Sequence, residues 1–482
     1  MRDRNGQRHR HSVRQRGQVL VWTLAMAAAC VAVFLGVYGV GQANIEKQKI
    51  VNTADAAAYS AAMQEARTLN FESYVNRSIV ANEVVIAQVV TLDSWVAYMA
   101  RTAKNIGTIL QFIPYANVIG RALVQISDRV LKPLVDNVLP PLVPFHQGLI
   151  TVLTGAREAA HLATYETAIE TAKAVVGRNV TVFGGRTDNA PYITSLGMAA
   201  LVKNEVSWLN FTKIYAKNDR ANAADVIKRS RDRFSGDNER TGGDLTNIDF
   251  FFAGISKTSG GTHLVGYDRW EAQDTLDTWH WTIKGRKYDI PVGWGRATAS
   301  QNGQRGNRWN VPGNANGMAY SSTKAIKGWL GIPEIRDVVD RKATYDPEVD
   351  AKAKKAPQTL EFLIEVAKNR TDVPFASSMG MDKSPTGATS GPGSPDLNEK
   401  LAGDRIGAVS KAQVFFKRPY LRKDITASSF FRSDNAQEYG SIYNPYWQAR
   451  LVDVSVTEKE AFYLGSGASG LAIFTPNSSG KN

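Results

Sequence analysis

From Gln18 to Ile45 the chain carries no charged side chain, and the run is dense in residues such as Val19, Leu20, Val21, Trp22, Leu24, Val33, Phe34 and Leu35. Coiled as an α-helix, it extends about 42 Å, against a bilayer hydrocarbon core of about 30 Å. A single helix satisfies its own backbone hydrogen bonds inside lipid, which an isolated strand cannot do. Directly before the run stand Arg2, Arg4, Arg8, Arg10, Arg14 and Arg16, opposed only by Asp3. Cations held on one side of a span set its orientation. The expectation is therefore a single-pass protein of the inner membrane with residues 1–17 in the cytoplasm as a basic tail or leader. The remainder, including the C-terminal domain, is periplasmic or extracellular. A cleaved secretory signal and a buried core helix share parts of this pattern. The run is long for the first, and Ala54 to Ala62 continue it as helix. Core helices of soluble proteins are rarely uncharged over such a length.

The net charge of +13 over 482 residues divides accordingly. The tail carries +5 of it, and those arginines read as headgroup anchors. The other +8 is spread too thinly to form the basic stripe that nucleic acid requires, so no nucleic-acid partner is expected. Cys30 is the one cysteine and lies within the apolar run. An intrachain disulfide and a thiolate metal cluster are thereby excluded.

Beyond the span the sequence predicts an α+β protein. The transmembrane helix of 18–45 continues into an elongated helical stalk or bundle over 46–177. Val85, Val89, Leu92, Val96, Met99, Ala103, Ile106 and Leu110 recur at spacings of four and three. Such a stripe marks a packed helix or a seam for self-association. Pro114 stops or kinks that helix, another spans 116–131, and Pro133, Pro140, Pro141 and Pro144 predict a turn-rich break before helix resumes at 147–176, with Gly177 as a C-terminal cap. Residues 178–260 read as a loop-rich transition. A β-rich or α+β distal domain follows over 261–475, with strands among 263–290, 359–366 and 412–416. Residues 476–482 have the composition of a flexible tail.

The N-terminal residues carry a resemblance. Arg14-Gln-Arg16-Gly17, the apolar helix from Gln18, and the stretch KIVNTADAAAYSAAM from Lys49 to Met63 together resemble the pilin-like proteins of tight-adherence (Flp) pilus systems, the TadG-like group in particular. Asn52, Ala54, Asp55, Ala56 and Ala57 are the positions that carry it, and Ser441 to Arg450 (SIYNPYWQAR) is similar to a block in large members. The resemblance implies a membrane-anchored minor pilin-like or assembly component that acts by protein–protein contact, with pilus or secretion-platform proteins as partners. It also makes Gly17–Gln18 a candidate processing site. Trp22 stands at the fifth position after Gly17, where processed pilins usually carry Glu. The Asp-x-Ser-x-Ser metal motif of many TadG-like proteins does not occur here.

Motifs for catalysis are sparse: there is no HExxH, GxSxG or P-loop. No cofactor, metal or catalytic residue is therefore assigned. The alternative is an envelope hydrolase or glycan-binding protein using the distal domain. His263 and His280 flank Asp268, Glu271, Asp274 and Asp277, and Gly293-Trp294-Gly295-Arg296 could present an aromatic platform. The commoner meaning of the latter is a structural turn. Asn444, Pro445, Tyr446, Trp447, Gln448, Ala449 and Arg450 predict a defined turn that locks the distal domain or docks a partner.

Overall fold

A computed structural model describes residues 16–178, 190–241, 248–250, 252–306, 309, 311–339, 360–369, 405–417 and 440–465. One helix organises the rest. The α1 helix (Arg16–Leu110) runs unbroken for 95 residues, about 140 Å at 1.5 Å per residue. No glycine or proline interrupts residues 42–106, so nothing in the chain offers a kink. The helix ends before Pro114, and Tyr115 turns the chain at φ 68°. The α2 helix (Asn117–Ile126) then doubles back. The two helices cross where a Cβ on Gly120 would lie 2.6 Å from the Gly107 carbonyl oxygen, an approach only glycine permits.

Two wide turns at Ser127–Leu131 and Leu134–Val138 lead into α3 (Leu139–Arg178). Thr68 meets Thr164, Glu72 meets His161, Asn76 meets Arg157 and Asn82 meets His146. This descending order makes α3 antiparallel to α1. In chain order there follow β1 (Tyr192–Ile193), α4 (Ser195–Phe211), β2 (Thr212–Tyr215), α5 (Ala221–Ser230), β3 (Ile248–Phe250), β4 (Ala253–Val265) and β5 (Arg269–Thr282). Then come β6 (Gly285–Ser300), α6 (Asn314–Ser321), β7 (Lys324–Lys327), β8 (Ile335–Val338), β9 (Leu360–Asn369), β10 (Arg405–Phe416), β11 (Trp447–Val452) and α7 (Val456–Gly465). The strands form a sheet of order β1-β9-β10-β11, a sheet of order β3-β4-β5-β6-β7, and the pair β2-β8. All neighbours are antiparallel except β6 and β7.

Both larger sheets pack on α1, one after the other. Ile50, Ala54, Ala57, Ala58, Ala61, Ala62, Ala66 and Leu69 share a core with Ala168 and Ala172 of α3, Trp208 of α4, and Phe362, Ile364, Ala412 and Val414 of the first sheet. Alanine keeps that face narrow, so helix and sheet approach closely. Farther along, Ile79, Ile86 and Val90 pack with Ile150, Trp270, Ala272, Ala297 and Trp329. The closest approach is at β6. A Cβ on Gly295 would sit 1.9 Å from the Ser94 carbonyl oxygen, and one on Gly293 1.8 Å from Thr102 Oγ1. The Gly293-Trp294-Gly295 segment is thus a strand lying against a helix, not a turn. Arg101 donates to the Trp294 carbonyl at 2.8 Å.

The α+β class and the apolar helix leading into a helical region and β-rich sheets are as the sequence predicts. Local differences have physical causes. Pro140, Pro141 and Pro144 do not interrupt the chain: α3 begins at Leu139 and runs through them. They follow directly on the wide turn Leu134–Val138, where the Leu139 N–H donates to the Leu134 carbonyl five residues back, and a widened turn absorbs a break in the regular helical ladder. Gly177 lies inside the last turn of α3, not beyond it. Within the stretch read as loop-rich stand α4 and α5, and α4 opens on the Thr194 hydroxyl accepting from the Gly197 N–H at 3.0 Å. The apolar stripe on α1 is shared out: Val89 and Val96 are buried inside the chain, while Leu92, Met99 and Ile106 reach the surface.

Candidate functional site

The α1 helix changes environment along its length, and that change defines the site. Val19, Trp22, Phe34 and Val37 are all widely exposed. Residues 19–35 are exposed throughout, a bare apolar rod. Among the described residues one helix, α1, is long and apolar enough to cross a membrane. Arg16 is its first residue, which places the Gly17–Gln18 bond in its first turn. Arg2, Arg4, Arg8, Arg10 and Arg14 lie outside the described residues, as does 476–482.

A polar collar marks the junction of rod and head. Glu46 is buried and pairs with Lys368 of β9 at 2.9 Å and with Lys49 at 2.8 Å. Burial alone would raise the Glu46 carboxyl, but the two ammonium groups outweigh it and hold the carboxyl below its ordinary range. The Lys47 ammonium donates to the Gly407 carbonyl of β10, and burial lowers its pKa. The polar contacts of Glu46 and Lys47 therefore fasten α1 to two strands.

The next turns carry the alanine-rich motif. Ala54 and Ala57 enter the core, whereas Asn52 and Ala56 face solvent and Asp55 is half-buried. Asp55 lines an open groove with Lys411, Arg450, Asp453 and Lys459. That groove joins the two segments the sequence singled out, one near each end of the chain. Arg450 donates through Nε and Nη2 to Gln413 Oε1 at 3.1 and 2.9 Å and lies 4.4 Å over the Phe415 ring.

The segment 441–447 is clamped on α1. Asn70 donates to the Trp447 carbonyl at 2.8 Å and accepts from the Trp447 N–H at 2.9 Å. Arg77 donates to the Tyr443 carbonyl at 2.7 Å and to Asn444 Oδ1 at 2.9 Å. The Ser73 hydroxyl reaches the Asn444 carbonyl at 3.3 Å. Pro445 follows, and the Tyr446 N–H closes back on the Asn444 carbonyl at 3.0 Å. The Trp447 ring is buried edge-on to Phe211 and Phe416, and its Nε1 donates to the Ser441 carbonyl at 3.3 Å. Asn70, Ser73 and Arg77 escaped the sequence reading. Their spacing of three and four within an alanine-rich helix was the available signal.

The residues of the enzymatic alternative are not brought together. In the β4–β5 register His263 stands opposite Glu271, while His280 stands opposite Ala253. Nine residues of strand, about 30 Å, separate them. The intervening acids have internal partners. Asp274 binds Arg240 and Lys257, each at 3.1 Å, and accepts from Ser94 of α1 at 2.8 Å. Glu271 pairs with Arg296 at 3.3 Å. Asp277 accepts from the Ala315 N–H at 2.8 Å in the first turn of α6. Asp268 sits in the β4–β5 turn, and His280 pairs with Asp289.

Among known families, residues 17–64 match the model described as Flp pilus-assembly TadE/G-like. The match covers the bare rod, the collar and the alanine-rich turns, about a tenth of the chain. No curated protein and no solved structure matches it.

Proposed function

We propose that the chain is a membrane-tethered, minor pilin-like component of a Flp pilus assembly system, and that its head works by protein–protein contact. The family match supports a role in pilus assembly in general, and the bare apolar rod supports anchoring by a single span. The finer reading is carried by one observation. The matched segment is in part bare helix and in part clamped into a head far larger than the segment itself. A head built around the rod presents a surface to other subunits at a fixed height above the membrane. The arginine tail orients the head away from the cytoplasm, and partners are other pilin-like subunits or the secretion platform. Copies of the chain meet through the exposed face of α1 at Leu92, Met99 and Ile106.

The test is deletion of the gene, followed by electron microscopy of surface pili and affinity isolation of the tagged full chain from membranes. The expected result is loss of pili, restored by the wild-type chain, with pilin-like or platform proteins co-isolated. Normal pili in the deletion strain would overturn the reading.

A further inference from the structure

The far end of α1 carries a surface that the assembly reading leaves unused. From Asn105 to Gly120 there is no charged side chain. The turn joining α1 to α2 presents Ile109, Phe112, Ile113, Tyr115, Val118 and Ile119 to solvent, with Phe112 84% and Tyr115 98% exposed. These side chains stand on a projecting hairpin, so they suit insertion into a partner better than reception of one.

Two observations identify what covers them. Five backbone N–H groups of the turn find acceptors within it. Gln111, Phe112, Ile113, Ala116 and Gly120 donate to the carbonyls of Gly107, Ile109, Leu110, Ile113 and Ala116, at 3.0 to 3.2 Å. Pro114 has no N–H to satisfy. Hydrocarbon offers no acceptor, so a turn that enters it must supply its own. The second observation is charge. Lys104 precedes the apolar stretch, and Arg121, Arg129 and Lys132 follow it, with Asp128 the one acid between Ser94 and Val135. Lys104 and Asp128 pair at 3.0 Å, which leaves three exposed cations on the flank of the tip. An apolar wedge backed by cations matches a bilayer with anionic headgroups. Leu110 lies about 95 Å beyond Glu46 along α1, too far for the bilayer that holds residues 18–45.

We infer that the α1–α2 turn is a lipid-insertion tip that docks on a second, anionic bilayer, so that the chain bridges two membranes. A soluble protein or a second copy of the chain on the tip would be the competing occupants.

The experiment uses the full chain in nanodiscs, mixed with vesicles of phosphatidylglycerol and phosphatidylcholine or of phosphatidylcholine alone. Co-flotation is compared between wild type and F112D/I119D. A second readout is an environment-sensitive dye on Y115C in a Cys30→Ser background. The wild type is expected to float with the anionic vesicles about tenfold more than F112D/I119D, with a blue shift of the dye on their addition. Unchanged thermal melting of the variant, whose side chains are exposed, shows that the head is intact. Three results would overturn the inference: no flotation of the wild type, equal flotation of the variant, or a blue-shifted dye before vesicles are added because copies associate through the tip. None of them bears on whether deletion abolishes pili.

Discussion

Glu83, on α1, is buried, and its two carboxylate oxygens lie 3.3 and 3.1 Å from the Trp329 indole nitrogen. Burial raises its pKa from 4.5 to about 8, and the Trp329 N–H, which favours the anion, only partly offsets this. The sign of the consequence follows from proton counting. Below pH 4.5 the carboxyl is protonated both folded and unfolded, and stability does not depend on it. Between 4.5 and about 8 the unfolded chain releases the proton while the folded chain retains it, so stability falls as pH rises. At about 1.4 kcal/mol per pH unit, the loss amounts to about 5 kcal/mol and levels off above pH 8. Glu83→Gln keeps an acceptor for Trp329 and cannot ionise. It should match the wild type near pH 5 and exceed it by several kcal/mol at pH 9. Urea unfolding of the detergent-solubilised full chain, followed by tryptophan fluorescence at pH 5, 7 and 9, measures this. Asp93, raised to about 7 chiefly by burial, titrates in both proteins, so the difference between them isolates Glu83. Parallel stability curves for wild type and E83Q would show that the reasoning is wrong.

Other substitutions test the packing. Trp447→Ala removes a buried ring between Phe211 and Phe416 and should cost about 3–5 kcal/mol, with faster proteolysis of the head; an unchanged melting temperature would move the 444–450 segment from anchor to docking surface. Gly295→Ala should destabilise more than Gly293→Ala. The added Cβ meets a backbone carbonyl of α1 in the first case and a rotatable threonine hydroxyl in the second, and equal melting temperatures would contradict the helix–sheet contact.

The long-range plan of the fold was legible where the sequence departs most from average. The uncharged run, the alanine repeats and the Pro114 stop announce α1, and the aromatic segment 263–290 announces β4 to β6. The burial of α1 was harder to read because its inward face is polar as well as apolar. Glu72, Glu83, Thr91, Asp93 and Ser94 are all buried, which blurs any hydrophobic periodicity. Their partners, such as His161 for Glu72 and Trp329 for Glu83, lie tens to hundreds of residues away, and no local pattern encodes them. The spacing of Asn70, Ser73 and Arg77 marks one face of a helix, but their partners at 443–447 lie more than 360 residues away. Trp447 was visible as a large ring beside a proline, but its neighbours Phe211 and Phe416 come from α4 and β10, which only the tertiary fold brings to it.

A helix without glycine or proline from Gln42 to Ile106 has no hinge where it leaves the membrane. The span and the head therefore turn as one crank. Tilting the span by about ten degrees swings the far end of α1 sideways by about 17 Å. An apolar stretch longer than the hydrocarbon is thick accommodates the mismatch by tilting, so a thicker bilayer stands the helix upright and a thinner one lays it over. Lipid composition at the base would then set how far from the membrane the other end of the molecule can reach.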